Sequence, residues 1–361
     1  MNTHLSRLQQ TMQSKGTQAV LVTSEINQRY LTGFPFTDGY VLVLPEQAYL
    51  ITDFRYVEAA QAQVDTTAFD ILTPKGGMLS AMADILKETG VTSVSVEEAT
   101  LSLQMMQRLQ SSWQGVTLNA DASALIDTLR LYKDEGEIAK IQAAQDIADA
   151  AFSHILTWLT PDRTEVEVAL ELEFFMRAHG AECVSFETIA VSGTASSMPH
   201  GVPRPVTLER GFLTMDFGAR VDGYCSDMTR TVVIGRADED MRRLYETVLH
   251  AQTAALEAAC EGASCHGLDK IARDIIEGAG YHGAFGHSLG HGVGMYIHES
   301  PRLSPAAPED EALKRGHVVT FEPGIYLAGK YGCRIEDMVA ILPDGRVHNF
   351  THSDKQLIEI V

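Results

Sequence analysis

Three histidines, His287, His291 and His298, lie within the segment GHSLGHGVGMYIHESP (286–301) at spacings of four and seven, with Glu299 beside the last. Imidazole binds transition metals and moves protons near neutral pH, so this segment is a candidate for either chemistry. A zinc peptidase helix would place histidines at i and i+4 with a glutamate directly after the first. Here Ser288 follows His287, and Gly286, Gly290, Gly292 and Gly294 would each weaken a helix by about 1 kcal/mol relative to alanine. Extended backbone is expected instead. On a strand His287 and His291 share a face by the two-residue period, and His298 reaches the same place through a bend.

Two apolar segments supply acids that could converge with these histidines. In FLTMDFGARVDGYCSDMTRTVVI (212–234), a hairpin centred between Val221 and Asp222 sets Asp216 opposite Asp227, and opposed Cβ atoms lie about 4.5–5.5 Å apart. In VVTFEPGIYLAGKYGCRIED (318–337) a centre near Gly329 makes Glu322 and Glu336 equidistant from the turn. Two close carboxylates repel, so that one is driven to keep its proton. A lone buried carboxylate costs several kcal/mol. Four converging acids therefore call for cations. Oxygen ligands with one or a few imidazoles favour Mn, Co or Zn, and paired catalytic metals lie about 3.5–4 Å apart.

The elements that must position these groups are legible in the pattern. The first third alternates β-rich runs such as AVLVTS, GYVLVLP and AYLITD with helical stretches such as MLSAMADILKETG, the signature of an α/β domain with a mixed sheet. It has no Gly-rich nucleotide fingerprint. LRLYKDEGEIAKI (129–141) opens a long helix and marks the boundary, giving domains 1–128 and 129–361. Beyond it, helices followed by a β region occur twice, which reads as an internally duplicated α+β domain.

Bulk composition narrows the partners. The 361 residues carry a formal net charge of -20, which repels a phosphate backbone, so nucleic acid is not expected. No apolar run reaches the ~18 residues of a membrane span, and the N-terminus has no signal-peptide core. The five cysteines are odd in number and never form C-x-x-C, which fits reduced thiols and a cytoplasmic location. Cys260, Cys265 and His266 follow an Ala-rich run and read as a helix end rather than a metal site.

Taken in order, D-F-G-A, G-Y-C-S-D-M-T-R-T, the His-rich segment, E-P-G-I-Y and R-I-E-D resemble the pita-bread metallopeptidases, in particular the Xaa-Pro branch of aminopeptidase P and prolidase, over most of residues 130–361. The preceding region, including NQRYLTGF, resembles the smaller creatinase-like N-terminal α/β domain of that branch. The resemblance implies metal ligands at Asp216, Asp227, His291, Glu322 and Glu336, with Asp227 and Glu336 bridging two divalent ions, Mn²⁺ first and Co²⁺ or Zn²⁺ as alternatives. It places His287 and His298 as substrate-facing histidines supporting the tetrahedral intermediate, His200 as a further active-site histidine, and Glu322 as general base or proton carrier beside a metal-activated hydroxide. Arg334 is a candidate for holding a ligand carboxylate or substrate, and Arg302 for clamping a substrate carboxylate.

The activity implied is hydrolysis of the bond between an N-terminal residue and a following proline, in an aminopeptidase P-type enzyme acting on proline-containing peptides. The alternative is a strict Xaa-Pro dipeptidase, in which Arg302 clamps the terminal carboxylate; a solvated loop arginine there leaves the aminopeptidase reading. A non-catalytic pita-bread binding module is disfavoured because all five ligand positions are filled. A homodimer is the family expectation.

Overall fold

The computed structural model describes residues 3–361, which divide into a unit ending at Arg130 and a second running from Leu131 to Val361. The N-terminal unit holds a six-stranded sheet in the order Asp70–Leu72, Ala48–Thr52, Gly39–Val43, Val20–Val22, Ser93–Val96, Thr117–Ala120, with parallel and antiparallel pairs mixed. Leu21, Leu42, Ile51, Val94 and Val96 face Met82, Leu86, Leu109 and Trp113 in its core. Buried Glu97, just past its strand, accepts from Ser24 N at 2.8 Å and Asn27 Nδ2 at 2.5 Å, which ties the sheet to the start of the Glu25–Thr32 helix.

The C-terminal unit is built twice over. Helices Glu135–Trp158 and Glu165–Ala178 cover a four-stranded sheet that includes Ile189–Ser192, Gly211–Phe217 and Met228–Ile234. Helices Glu239–Glu257 and Cys265–Gly278 are packed with a five-stranded sheet that includes Gly290–Gly292, Glu299–Leu303, Val318–Phe321 and Asp337–Ile341. Local chemistry sets the helix starts: Asp134 with Glu137, and Thr164 with Glu167, form reciprocal capping boxes that satisfy otherwise orphaned N–H groups. The two halves even share a bridging detail, Thr164 pairing with Thr207 and Ser264 with Ala312 at the second helix of each pair. Among the described residues no helix is long and apolar enough to cross a membrane, and the five cysteines are free thiols.

The first hairpin corrects one expectation. Asp222 and Gly223 both have positive φ, 48° and 86°, as the two central residues of a type I′ turn require. The centre therefore falls between Asp222 and Gly223, Asp216 pairs with Thr229, and Asp227 is not directly opposite Asp216. The displacement is two residues in register, so both acids keep the face expected of them. In the second hairpin, Gly324–Leu327 pairs with Tyr331–Arg334 and Val318–Phe321 with Asp337–Ile341 in one continuous register that sets Glu322 across from Glu336.

Candidate active site

Strand alternation delivers the polar groups. Leu213, Met215 and Phe217 point into the core under the first helix pair, so Thr214 and Asp216 face the other way. Val319 and Phe321 do the same under the second pair, which turns Thr320 and Glu322 inward. A cavity of about 340 Å³ collects Asp216, Asp227, His291, Glu322 and Glu336 together with His200, His287, His298, Arg302 and Arg334. Every site residue expected from sequence thus lines one cavity. Of the three histidines only His291 lies in a strand, Gly290–Gly292; His287 lies in the irregular approach to it and His298 in the bend that leads into Glu299–Leu303.

Asp227, His291 and Glu336 are buried and offer ligand atoms that all lie within 4.8 Å of one another. His291 Nδ1 donates to the Gly292 carbonyl at 3.0 Å, which leaves a lone pair on Nε2. That nitrogen lies 3.5 Å from Asp227 Oδ2 and 3.4 Å from Glu322 Oε1. Burial pushes His291 down to about 3, so the ring has no second proton to place between these atoms. Burial also drives Glu322 up to about 8, and burial followed by the neighbouring carboxylates lifts Asp227 and Glu336 well above the usual range. Asp216 Oδ1 is buried without a hydrogen-bond partner. Carboxyls crowded together with an imidazole lone pair can stay close only by keeping protons or by sharing cations, and they make a good oxygen-rich cage for divalent ions. The donor set fits the metals that the resemblance implies.

A ring of donors holds this cage from behind. Arg334 Nη2 donates to Asp216 Oδ2 at 2.6 Å, Nε to Thr229 Oγ1 at 3.0 Å, and Nη1 to Tyr326 Oη at 2.8 Å. Thr229 in turn donates to Glu336 Oε2 at 2.7 Å. Arg334 was a candidate for holding a ligand carboxylate or substrate; its donors go to Asp216, Thr229 and Tyr326, the first of these arrangements. Arg230 reinforces the arrangement, donating to the backbone carbonyl of Glu336 at 2.7 Å and to Asp337 Oδ1 at 2.8 Å.

Tyr326 extends the chain of contacts. His287 Nδ1 donates to the Ser288 carbonyl at 2.9 Å, so Nε2 accepts from Tyr326 Oη at 2.9 Å while that oxygen accepts from Arg334. Burial pushes His287 down to about 4, which keeps the ring neutral. Sequence reasoning missed Thr229 and Tyr326. The signal was present, since Tyr326 shares the two-residue period of Glu322 and Thr229 lies two residues from Asp227. His298 packs edge-on against His291 with ring centroids 4.4 Å apart, and burial and then Arg302 lower its pKa. Arg302 is exposed, sits across from His291 on the neighbouring strand, and has no ion pair among the described residues.

This fold and this cage define a metallopeptidase of the pita-bread type. The chain belongs to metallopeptidase family M24, whose model matches residues 139–343, and the Creatinase/Prolidase N-terminal domain matches residues 4–132. It is 36% identical over 360 residues to the Xaa-Pro dipeptidase of Pyrococcus furiosus, covering 99% of this chain and 100% of that one. Among solved structures, an Xaa-Pro dipeptidase from Bacillus anthracis superposes with a TM-score of 0.93 at 39% identity, covering 99% of each chain. An X-Pro aminopeptidase from Thermotoga maritima superposes with a TM-score of 0.90 at 34% identity, covering 97% of this chain and 100% of that one.

Proposed function

We propose that this metallopeptidase is an Xaa-Pro dipeptidase, which hydrolyses the bond between a first residue and a C-terminal proline. The observation that carries the reading is Arg302, an exposed guanidinium lining the same cavity as the carboxylate cage and directly across from His291. A planar fork of donors suits a terminal carboxylate, and in a dipeptide that carboxylate lies one residue beyond the scissile carbonyl. The likeness to the Xaa-Pro dipeptidases of Pyrococcus furiosus and Bacillus anthracis supports the same choice.

In this reading Asp216, Asp227, His291, Glu322 and Glu336 hold two divalent ions, with Mn²⁺ the first candidate. Such ions, when bound, supply a nucleophilic water at neutral pH and Lewis acidity toward a carbonyl. The protein's own groups do the rest. Glu322 accepts the proton of the attacking water and returns it to the departing proline nitrogen. Its position beside the attacked carbonyl is what a proton carrier needs; burial raises its affinity for a proton, and bound cations would oppose that rise. Neutral His287, fixed in one tautomer by Ser288 and Tyr326, and His298 line the space where negative charge develops on the carbonyl oxygen, with His200 at the exposed side of the cavity. Arg334 and Thr229 keep Asp216 and Glu336 from turning away.

A broader Xaa-Pro aminopeptidase is the second reading, favoured by the Thermotoga maritima likeness. Mn²⁺-loaded protein given Ala-Pro and Ala-Pro-Ala-Phe in parallel separates the two. Preference for the dipeptide, lost in Arg302→Met, supports the dipeptidase. Preference for the longer peptide, indifferent to Arg302→Met, selects the aminopeptidase.

A further inference from the structure

One acid in the cavity has no part in the cage. Glu187 is exposed, lines the same cavity as the five proposed ligands, and has no ion pair among the described residues. Two residues on, Ile189 begins the outer strand of the four-stranded sheet and pairs directly with Asp216. Arg302 occupies the corresponding place in the other half, on the outer strand of the five-stranded sheet, paired directly with His291. The cage is therefore flanked by two edge strands, one from each sheet, of which one brings a free cation and the other leads from a free anion.

This asymmetry gives a bound dipeptide a direction. If the proline carboxylate goes to Arg302 and the scissile carbonyl to the cage, the first residue lies toward Ile189 and Glu187. Ile189 and Phe186 supply an apolar wall on that side, against which a methylene stem can lie, while an exposed carboxylate beyond them can meet a terminal charge. The α-amine, one carbon from the scissile carbonyl, is kept near the cage by its covalent geometry; a lysine or arginine side chain is long enough to reach outward. We infer that Glu187 selects for a basic first residue, so that Lys-Pro and Arg-Pro are preferred over uncharged dipeptides of similar length. This rests on the dipeptidase reading and adds a specificity determinant to it.

The test is the ratio of kcat/KM for Lys-Pro to that for Met-Pro, measured with Mn²⁺-loaded wild type, Glu187→Gln and Glu187→Lys. These two substrates have stems of similar length and differ in terminal charge. Wild type should favour Lys-Pro by about fivefold, the size of an exposed ion pair's contribution. Glu187→Gln should bring the ratio close to one, and Glu187→Lys should drop it below one while raising Glu-Pro relative to Gln-Pro. Raising salt to about 1 M, where the Debye length is about 3 Å, should shrink the wild-type preference and leave the Glu187→Gln ratio unmoved. An unchanged ratio in both variants overturns the role of Glu187 while sparing the dipeptidase reading. Failure of fully metal-loaded wild type to cleave any Xaa-Pro dipeptide overturns both.

Discussion

Arg334 and Asp216 form an ion pair at 2.6 Å with side-chain exposures of only 4% and 13%. Breaking a buried pair by removing one partner costs about 3–5 kcal/mol because the other charge is left uncompensated. Arg334→Met should therefore release Asp216 from its orientation and weaken metal retention. The expected outcome is a fall in bound divalent metal after dialysis, together with a loss of kcat of about 10- to 100-fold, as for partners that orient metal ligands. Arg334→Lys keeps the charge but not the three-way fork, and should fall between the two. Metal content and kcat measured on the same preparations check this.

Tyr326 carries the contact from Arg334 to His287. Tyr326→Phe removes the hydroxyl that fixes the His287 tautomer and leaves the ring in place. Turnover should drop about 10- to 100-fold with KM little changed, because one oriented group facing the transition state is disturbed rather than a ground-state contact. A rise in KM with kcat unchanged would remove Tyr326 and His287 from the chemical step.

Metal binding should release protons. Glu322, pushed up to about 8, and Asp227 and Glu336, lifted well above the usual carboxylate range by burial and by the neighbouring carboxylates, retain protons in the metal-free protein and must surrender them to act as ligands. Calorimetric titration of Mn²⁺ at pH 7 in buffers of different ionisation enthalpy should show net proton release, diminishing as pH rises past 8, and affinity should fall as pH is lowered. Binding with no buffer dependence would contradict the coupled burial of these acids.

Away from the site, His317 is buried, with Nδ1 accepting from Lys314 N at 3.2 Å and the ring against Tyr132. Burial, then Lys133 and Lys314, push it down to about 4 from an unfolded value of 6.5. Between those two values the unfolded chain binds the extra proton, so stability rises with pH across the window and is lost as pH falls through it. His317→Asn, which keeps an acceptor near the Nδ1 position, should flatten the dependence of Tm on pH between 6.5 and 4. An identical slope would show that other groups carry it.

Much of this arrangement was legible in the chain, and the misses have local causes. The second hairpin could be registered from Gly329 alone, because its φ of 72° is the one left-handed position in the Ala328-Gly329-Lys330 loop. The first was placed one residue early because its Asp222-Gly223 pair, the strongest turn signal in it, was not made the centre. Face survived the error, since a register shift of two residues preserves the side on which each acid lies. Arg334 was visible as a cation two residues from Glu336. Its commitment to Asp216 and Tyr326 was not, because those contacts join elements over 100 residues apart in one case and across a hairpin in the other. Thr229 and Tyr326 escaped attention for a chemical reason: a hydroxyl that both accepts and donates is uncharged, and its role appears only when the groups on both sides are in place.

The most direct test of the central claim is Ala-Pro hydrolysis by wild type and Glu322→Gln, each saturated with Mn²⁺ and assayed for bound metal. Wild type should hold about two ions per chain, the number this cage is proposed to take, and cleave Ala-Pro. Glu322→Gln should lose turnover by a factor of about 100 or more, out of proportion to any loss of metal, as removal of a proton carrier implies. Fully loaded wild type that leaves Ala-Pro intact, or a Glu322→Gln variant that cleaves it at the wild-type rate, would contradict the account.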